Sequence, residues 1–209
     1  PRRSADLASS PSVECRWTAP PPGSVPPRIS PMTAVAALAL LTELLDRFPV
    51  PVLAAGGIAS GRALAAVLAA GAAGAWIGTA FATCPESTLP EPARQRMLTA
   101  GDTDTVTTRA FDVALGYPWP PTIPERVLRN EFTDIWAGRE DELDADACEL
   151  LRAAIAADDY RWAPVNAGQG VADVTASEPA EKVVRRLTGD ARTTLAALSS
   201  GGTSGVRDD

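Results

Sequence analysis

The chain has 209 residues, with 45% hydrophobic and 22% charged residues, which is the composition of a globular protein of one large domain or two small ones. Lys plus Arg number 19 against 26 Asp plus Glu, a formal charge of −7, which argues against a polyanion-binding surface and hence against nucleic acid as a partner. There is no histidine, so Ser-His-Asp and Cys-His catalysis, histidine metal sites and an imidazole base within this chain are all excluded.

Residues 1–30 carry Pro20-Pro21-Pro22-Gly23 and Pro26-Pro27 with almost no periodic apolar pattern, and are expected to form a disordered tail. They lack the apolar core of a signal peptide. The chain starts at Pro1, not Met, and is expected to be processed or to be a piece of something longer.

Ser30-Pro31 offers a helix cap followed by proline at the first helical position. Val35, Leu38, Leu41, Leu45 and Phe48 then make one apolar helical stripe that Pro49 stops. The longest apolar run, Val35 to Leu41, is far shorter than the roughly 20 residues of a membrane span. Val50 to Ala55 has the near-continuous apolar character of a strand buried on both faces, and Gly56-Gly57 ends it. Gly61 to Ala70 predicts an alanine-rich helix closed by Gly71, and Ala73 to Ile77 a second buried strand ending at Gly78-Thr79. Strand, glycine turn, helix, strand and glycine turn have the length of one βαβ unit.

No further strand is expected beyond Phe81. Segments 91–100, 125–137, 141–157 and 178–198 are predicted helical, the last after a Ser177 cap, with the loop Tyr117-Pro118-Trp119-Pro120-Pro121 between them. A Gly/Ser-rich tail is expected from Ser199.

Two glycine turns at the carboxyl ends of adjacent parallel strands are the chemically suggestive feature. Glycine lets the backbone approach a ligand, and amides at strand-to-helix turns act as anion donors. Two such turns side by side grip a phosphate without lysine, in a chain whose first lysine is Lys182. Tight turns with no ligand remain the alternative, since short glycine motifs are weak evidence.

Other polar groups read less sharply. Cys15, Cys84 and Cys148 are odd in number with no CxxC pair, which favours a reducing cytoplasm over a disulfide framework or a zinc cluster. Cys84, just after the second glycine turn, is expected to be a small buried hydrophobe, with a reactive thiol near a site as the alternative. Glu140, Asp141, Glu142, Asp144 and Asp146 lack the spacing of a calcium loop and suit a solvated first helical turn. Trp119, Trp136 and Trp162 are expected to pack helices and loops, with a substrate cleft as the alternative.

Pro51-Val-Leu-Ala-Ala-Gly-Gly-Ile58, Ala-Ser-Gly-Arg62 and Gly74-Ala-Trp-Ile-Gly-Thr-Ala-Phe81 resemble the nitronate monooxygenase (2-nitropropane dioxygenase) family of FMN-dependent β/α barrels. Ala110-Phe111-Asp112, Arg126-Val-Leu-Arg-Asn130, Asn166-Ala-Gly-Gln-Gly170 and Pro179-Ala180 extend the likeness over roughly residues 31–198. The glycine turns alone are shared with other FMN and nucleotide barrels, including FabK-type enoyl reductases.

The resemblance implies an α/β fold: a partial TIM-type barrel carrying its last βαβ unit, followed by a helical C-terminal region. It also implies an oxidoreductase acting on a small alkyl nitronate with O2. Gly56 and Gly57 would stand after the seventh barrel strand and Gly78 and Thr79 after the eighth, holding the FMN phosphate. Many relatives have glutamine at the position of Trp76, and Gln169 receives no role. The family's first six strands and its catalytic histidine belong upstream, whereas a complete barrel takes about 250 residues. The expectations are therefore a truncated or frame-disrupted chain without catalytic residues or metal of its own, and weak FMN binding. Further alternatives are a non-catalytic phosphate-binding remnant and a helical interaction protein whose open sheet edge pairs with another chain that supplies the missing strands.

Overall fold

The computed structural model describes residues 37–201. The Pro-rich segment, the Ser30-Pro31 cap and Val35 lie outside them, as does the tail beyond Gly201.

Helix α1 (Ala37–Arg47) buries Leu41 and tucks Leu45 against the core, while Leu38 stays exposed and Phe48 lies just past the helix end. Strand β1 (Leu53–Ala55) leads to α2 (Gly61–Ala69), which Ser60 caps by accepting the Ala63 N–H. At the other end, Gly71 N–H bonds to Leu68 O and Ala72 N–H to Val67 O, the paired closure of a Schellman motif. Strand β2 (Gly74–Trp76) then pairs parallel with β1, Leu53 opposite Gly74 and Ala55 opposite Trp76. A short helix α3 (Thr79–Ala82) follows at once. The βαβ order thus matches the apolar runs and glycine breaks.

Burial of the strands does not match. Only Ala54 in β1 is buried; Leu53 is 54% and Trp76 72% exposed. The sheet has a covered face and a bare apolar face, because α2 packs on one side and nothing among the described residues covers the other.

Helix α4 (Glu91–Leu98) buries Ala93 and Met97. Two further strands then correct the expectation of none: β3 (Thr105–Thr108) and β4 (Glu125–Leu128) form an antiparallel pair separate from the parallel one. The β-branched run Thr105-Val-Thr-Thr suits a strand. The segment expected to be a single helix over 125–137 is split, β4 giving way to α6 (Glu131–Trp136). Asn130 forces the change: its side chain accepts the Thr133 N–H while Thr133 Oγ1 accepts the Asn130 N–H, a reciprocal cap. Its Nδ2 also donates to Trp162 O and Ala163 O.

Helix α5 (Ala110–Leu115) lies between β3 and β4, and Phe111 stacks on Phe132 of α6 with ring centroids 5.0 Å apart. Leu151 of α7 (Ala145–Ala156) completes that cluster, with Trp136 and Trp162 packed around it.

The last helix, α8 (Ala180–Gly201), runs through Ser199 and Ser200 and lays Val183, Leu187 and Ala191 against α2. Ser177 does not cap it. Ser177 Oγ donates to Thr83 O, and the Ala180 N–H is received by Glu86 Oε1 instead. Gly61 is the contact point of α2 with α8: a Cβ there would stand 2.3 Å from Asp190 Cβ, so only glycine permits this approach. Among the described residues no helix is long and apolar enough to cross a membrane.

Candidate functional site

The two glycine turns meet. Gly56, Gly57, Gly78 and Thr79 line one cavity of about 220 Å³ at the carboxyl ends of β1 and β2. Ala55 and Trp76 line it too, and its far wall is made by Gly168 and Gly170. Gly56 and Gly57 have φ of +99° and +70°, left-handed values that a side chain would strain. Gly78 stands at the N-cap of α3.

Among the described residues, none of the amides of Gly56, Gly57, Gly78 and Thr79 donates to a protein acceptor. No ionisable side chain lines the cavity. Backbone amides without a protein acceptor, at turns free of carboxylates, are the groups there that could receive an anion.

Gly168 and Gly170 were not legible as site residues. Gly168 N–H donates to Thr79 Oγ1 at 2.9 Å, and a Cβ on Gly170 would stand 2.7 Å from Gly57 O. Gln169 between them is exposed. The closely spaced pair of glycines in Asn166-Ala-Gly-Gln-Gly170 was the available signal, but what they touch lies about a hundred residues earlier.

The other singled-out residues lie elsewhere. Cys84 is buried and its Sγ donates to Ala80 O; burial, then the Glu86 carboxylate, pushes its pKa up, which keeps it a thiol. Glu140, Asp141 and Glu142 form a 3-10 turn of their own ahead of α7, not the helix's first turn, and Glu140 Oε1 accepts from Thr108 Oγ1 at 2.7 Å. Asp144 caps α7 by accepting the Ala147 N–H. Among the described residues no cluster of three or more Cys, Asp or Glu is arranged to hold a metal. Trp136 and Trp162 pack on the Phe111–Phe132 cluster, and Trp119 is exposed; none lines the cavity.

One carboxylate on the flank is unusual. Glu125 Oε2 accepts from Asn166 Nδ2 at 3.3 Å, but Oε1 is buried without a partner. Burial, reinforced by the Asp112 carboxylate, raises its pKa from 4.5 to about 7. The folded chain therefore holds a proton that the unfolded chain has already lost, so Glu125's contribution to stability is complete below pH 4.5 and is lost as pH rises through 7. The Glu125→Gln variant is expected to gain on the wild type in melting temperature between pH 5 and pH 8, with the difference growing towards pH 8. Equal slopes of melting temperature against pH would refute the shift.

The chain is thus an α/β protein in which two glycine turns end adjacent parallel strands and line one cavity. The nitronate monooxygenase family model matches residues 23–190, and the chain belongs to that family. It is 35% identical over 156 residues to the Mycobacterium tuberculosis protein named "Putative monooxygenase Rv1533", covering 74% of this chain and 38% of that one. A "Probable nitronate monooxygenase" of Staphylococcus aureus is 34% identical over 110 residues, covering 47% of this chain and 31% of that one.

Among solved structures, FabK from Thermotoga maritima superposes with a TM-score of 0.67 at 27% identity, over 80% of this chain and 52% of that chain. Nitroalkane oxidase from Streptomyces ansochromogenes gives 0.65 at 34% identity, over 78% and 46%. The chain thus spans well under half the length of these curated relatives and about half of these structures.

Proposed function

We propose that the Gly56–Gly57 and Gly78–Thr79 turns hold the phosphate of FMN, and that the chain is the C-terminal, cofactor-gripping part of an oxidoreductase of nitronate monooxygenase type. The observation that carries this reading is that the four residues of both turns, whose amides have no protein acceptor among the described residues, line one cavity bare of carboxylates. The residues present fit the phosphate end of the cofactor: there is open space above Gly56 and Gly78, and donors are in place.

When bound, FMN supplies the electron acceptor for oxidation of an alkyl nitronate, with O2 as terminal oxidant and a carbonyl compound and nitrite as products. This chain's own residues bind and orient: amides at both turns neutralise the phosphate charge, and Thr79 adds a hydroxyl. None of the residues lining this cavity carries a group that could serve as a base, so their part in the reaction is to hold the cofactor. The bare face carrying Leu53 and Trp76 supports a second element of the reading, that further barrel strands, in this or another chain, cover it. The free thiols Cys84 and Cys148 accord with a reducing cytoplasm.

Titration with FMN and with riboflavin, which lacks the phosphate, tests the reading. FMN is expected to bind at least about tenfold more tightly, the worth of a few charge-assisted bonds. Equal affinities would refute it.

A further inference from the structure

We infer that the strap Val165–Val171 is a positioning element for the anion cradle, with Gly168 orienting the Thr79 hydroxyl and Gly170 setting the height of the Gly57 turn. The inference rests on the phosphate reading above and assigns a role to residues outside both turns.

The strap is fixed at its base by the second sheet. Leu128 N–H bonds to Val165 O at 2.8 Å, Ala167 N–H to Arg126 O at 3.2 Å, and Val127 bridges Asn166. Val165, Ala167 and Val171 are buried with Met97 and Leu128, so the strap sits in a packed core. From this base its glycines reach the parallel sheet.

A threonine hydroxyl has one proton and two lone pairs. At Thr79 one lone pair is taken by the Gly168 N–H, and among the described residues the hydroxyl proton has no acceptor. The Gly168 bond thus fixes Thr79 as a donor to whatever anion occupies the cavity. Gly170 lies flush under the neighbouring turn: its missing Cβ would meet Gly57 O at 2.7 Å, Ala59 Cβ at 3.0 Å and Gly57 C at 3.1 Å. Backbone atoms cannot yield as a flexible side chain can, so a methyl group there displaces the Gly57–Ile58 peptide.

The test compares the wild type with Gly170→Ala, Thr79→Val and Thr79→Ser by FMN and riboflavin titration, melting temperature and amide exchange at Gly168. Gly170→Ala and Thr79→Val are each expected to lower FMN affinity about tenfold with riboflavin affinity unchanged, while Thr79→Ser stays within about twofold of wild type. The Gly168 amide should exchange faster in Thr79→Val alone. If Gly170→Ala fails to fold, the Val and Ser pair and the Gly168 exchange decide. Folded Gly170→Ala and Thr79→Val proteins that keep the wild-type preference for FMN over riboflavin overturn the inference and leave the cradle standing. A wild type that binds FMN no better than riboflavin, or binds neither, overturns the phosphate reading and this inference with it.

Discussion

Gly78→Asp is expected to cost on the order of 100-fold in FMN affinity, about 2.7 kcal/mol, while leaving the fold intact. A Cβ at Gly78 meets nothing within 4 Å, and its φ of −103° is open to any residue. Gly78 is also the N-cap of α3, a position where aspartate is among the preferred residues. The unfolding free energy should therefore change by less than about 0.5 kcal/mol. The new carboxylate, however, would stand at the lining of the cavity, where a like charge at about 4 Å repels a phosphate by a few kcal/mol. Flavin titration checks this: FMN binding should fall, riboflavin binding should hold, and Gly78→Asn should lose far less than Gly78→Asp. Undiminished FMN affinity in the Asp variant would remove Gly78 from the site.

Phe132→Ala is expected to be the most damaging core substitution, at about 3–5 kcal/mol. Phe132 is fully buried against Phe111, Val127 and Leu151, and its ring stack on Phe111 adds to the area it buries. A total stability of about 5–15 kcal/mol leaves little after such a loss. Val127, in the same cluster as Phe132, is also the bridge partner of Asn166. A urea denaturation midpoint checks the cost, with Phe132→Leu expected to lose under half as much.

The first half of the fold was legible because its signals are local. Pro49 and the glycine pairs punctuate short apolar runs, and neither α2 nor its flanking strands needs distant information. The strands β3 and β4 were not. Thr105-Val-Thr-Thr has a single apolar residue in four, and Glu125-Arg-Val-Leu suits a helix until its four pairings with β3 are known. Asn130 with Thr133 was a readable cap inside the supposed helix. Ser177 has the right letter for a cap, but its hydroxyl is claimed by a carbonyl 94 positions away.

In the site, Gly56, Gly57, Gly78 and Thr79 could be picked out from the turns they make, and the structure brings them together. Gly168 and Gly170 could not, since a glycine required by what stands across from it looks like any other glycine. Leu53 and Trp76 were misjudged for a related reason: apolar letters in a strand signal burial, yet the face they form is left bare.

Trp76 gives that bare face an experimental use. An indole 72% exposed at the rim of the cavity is a built-in fluorophore beside the place where a flavin's phosphate would settle. Its emission overlaps flavin absorption, so occupancy would be read as resonance energy transfer in the unmodified protein. The Trp76→Phe variant would identify which share of the quenching arises at the rim.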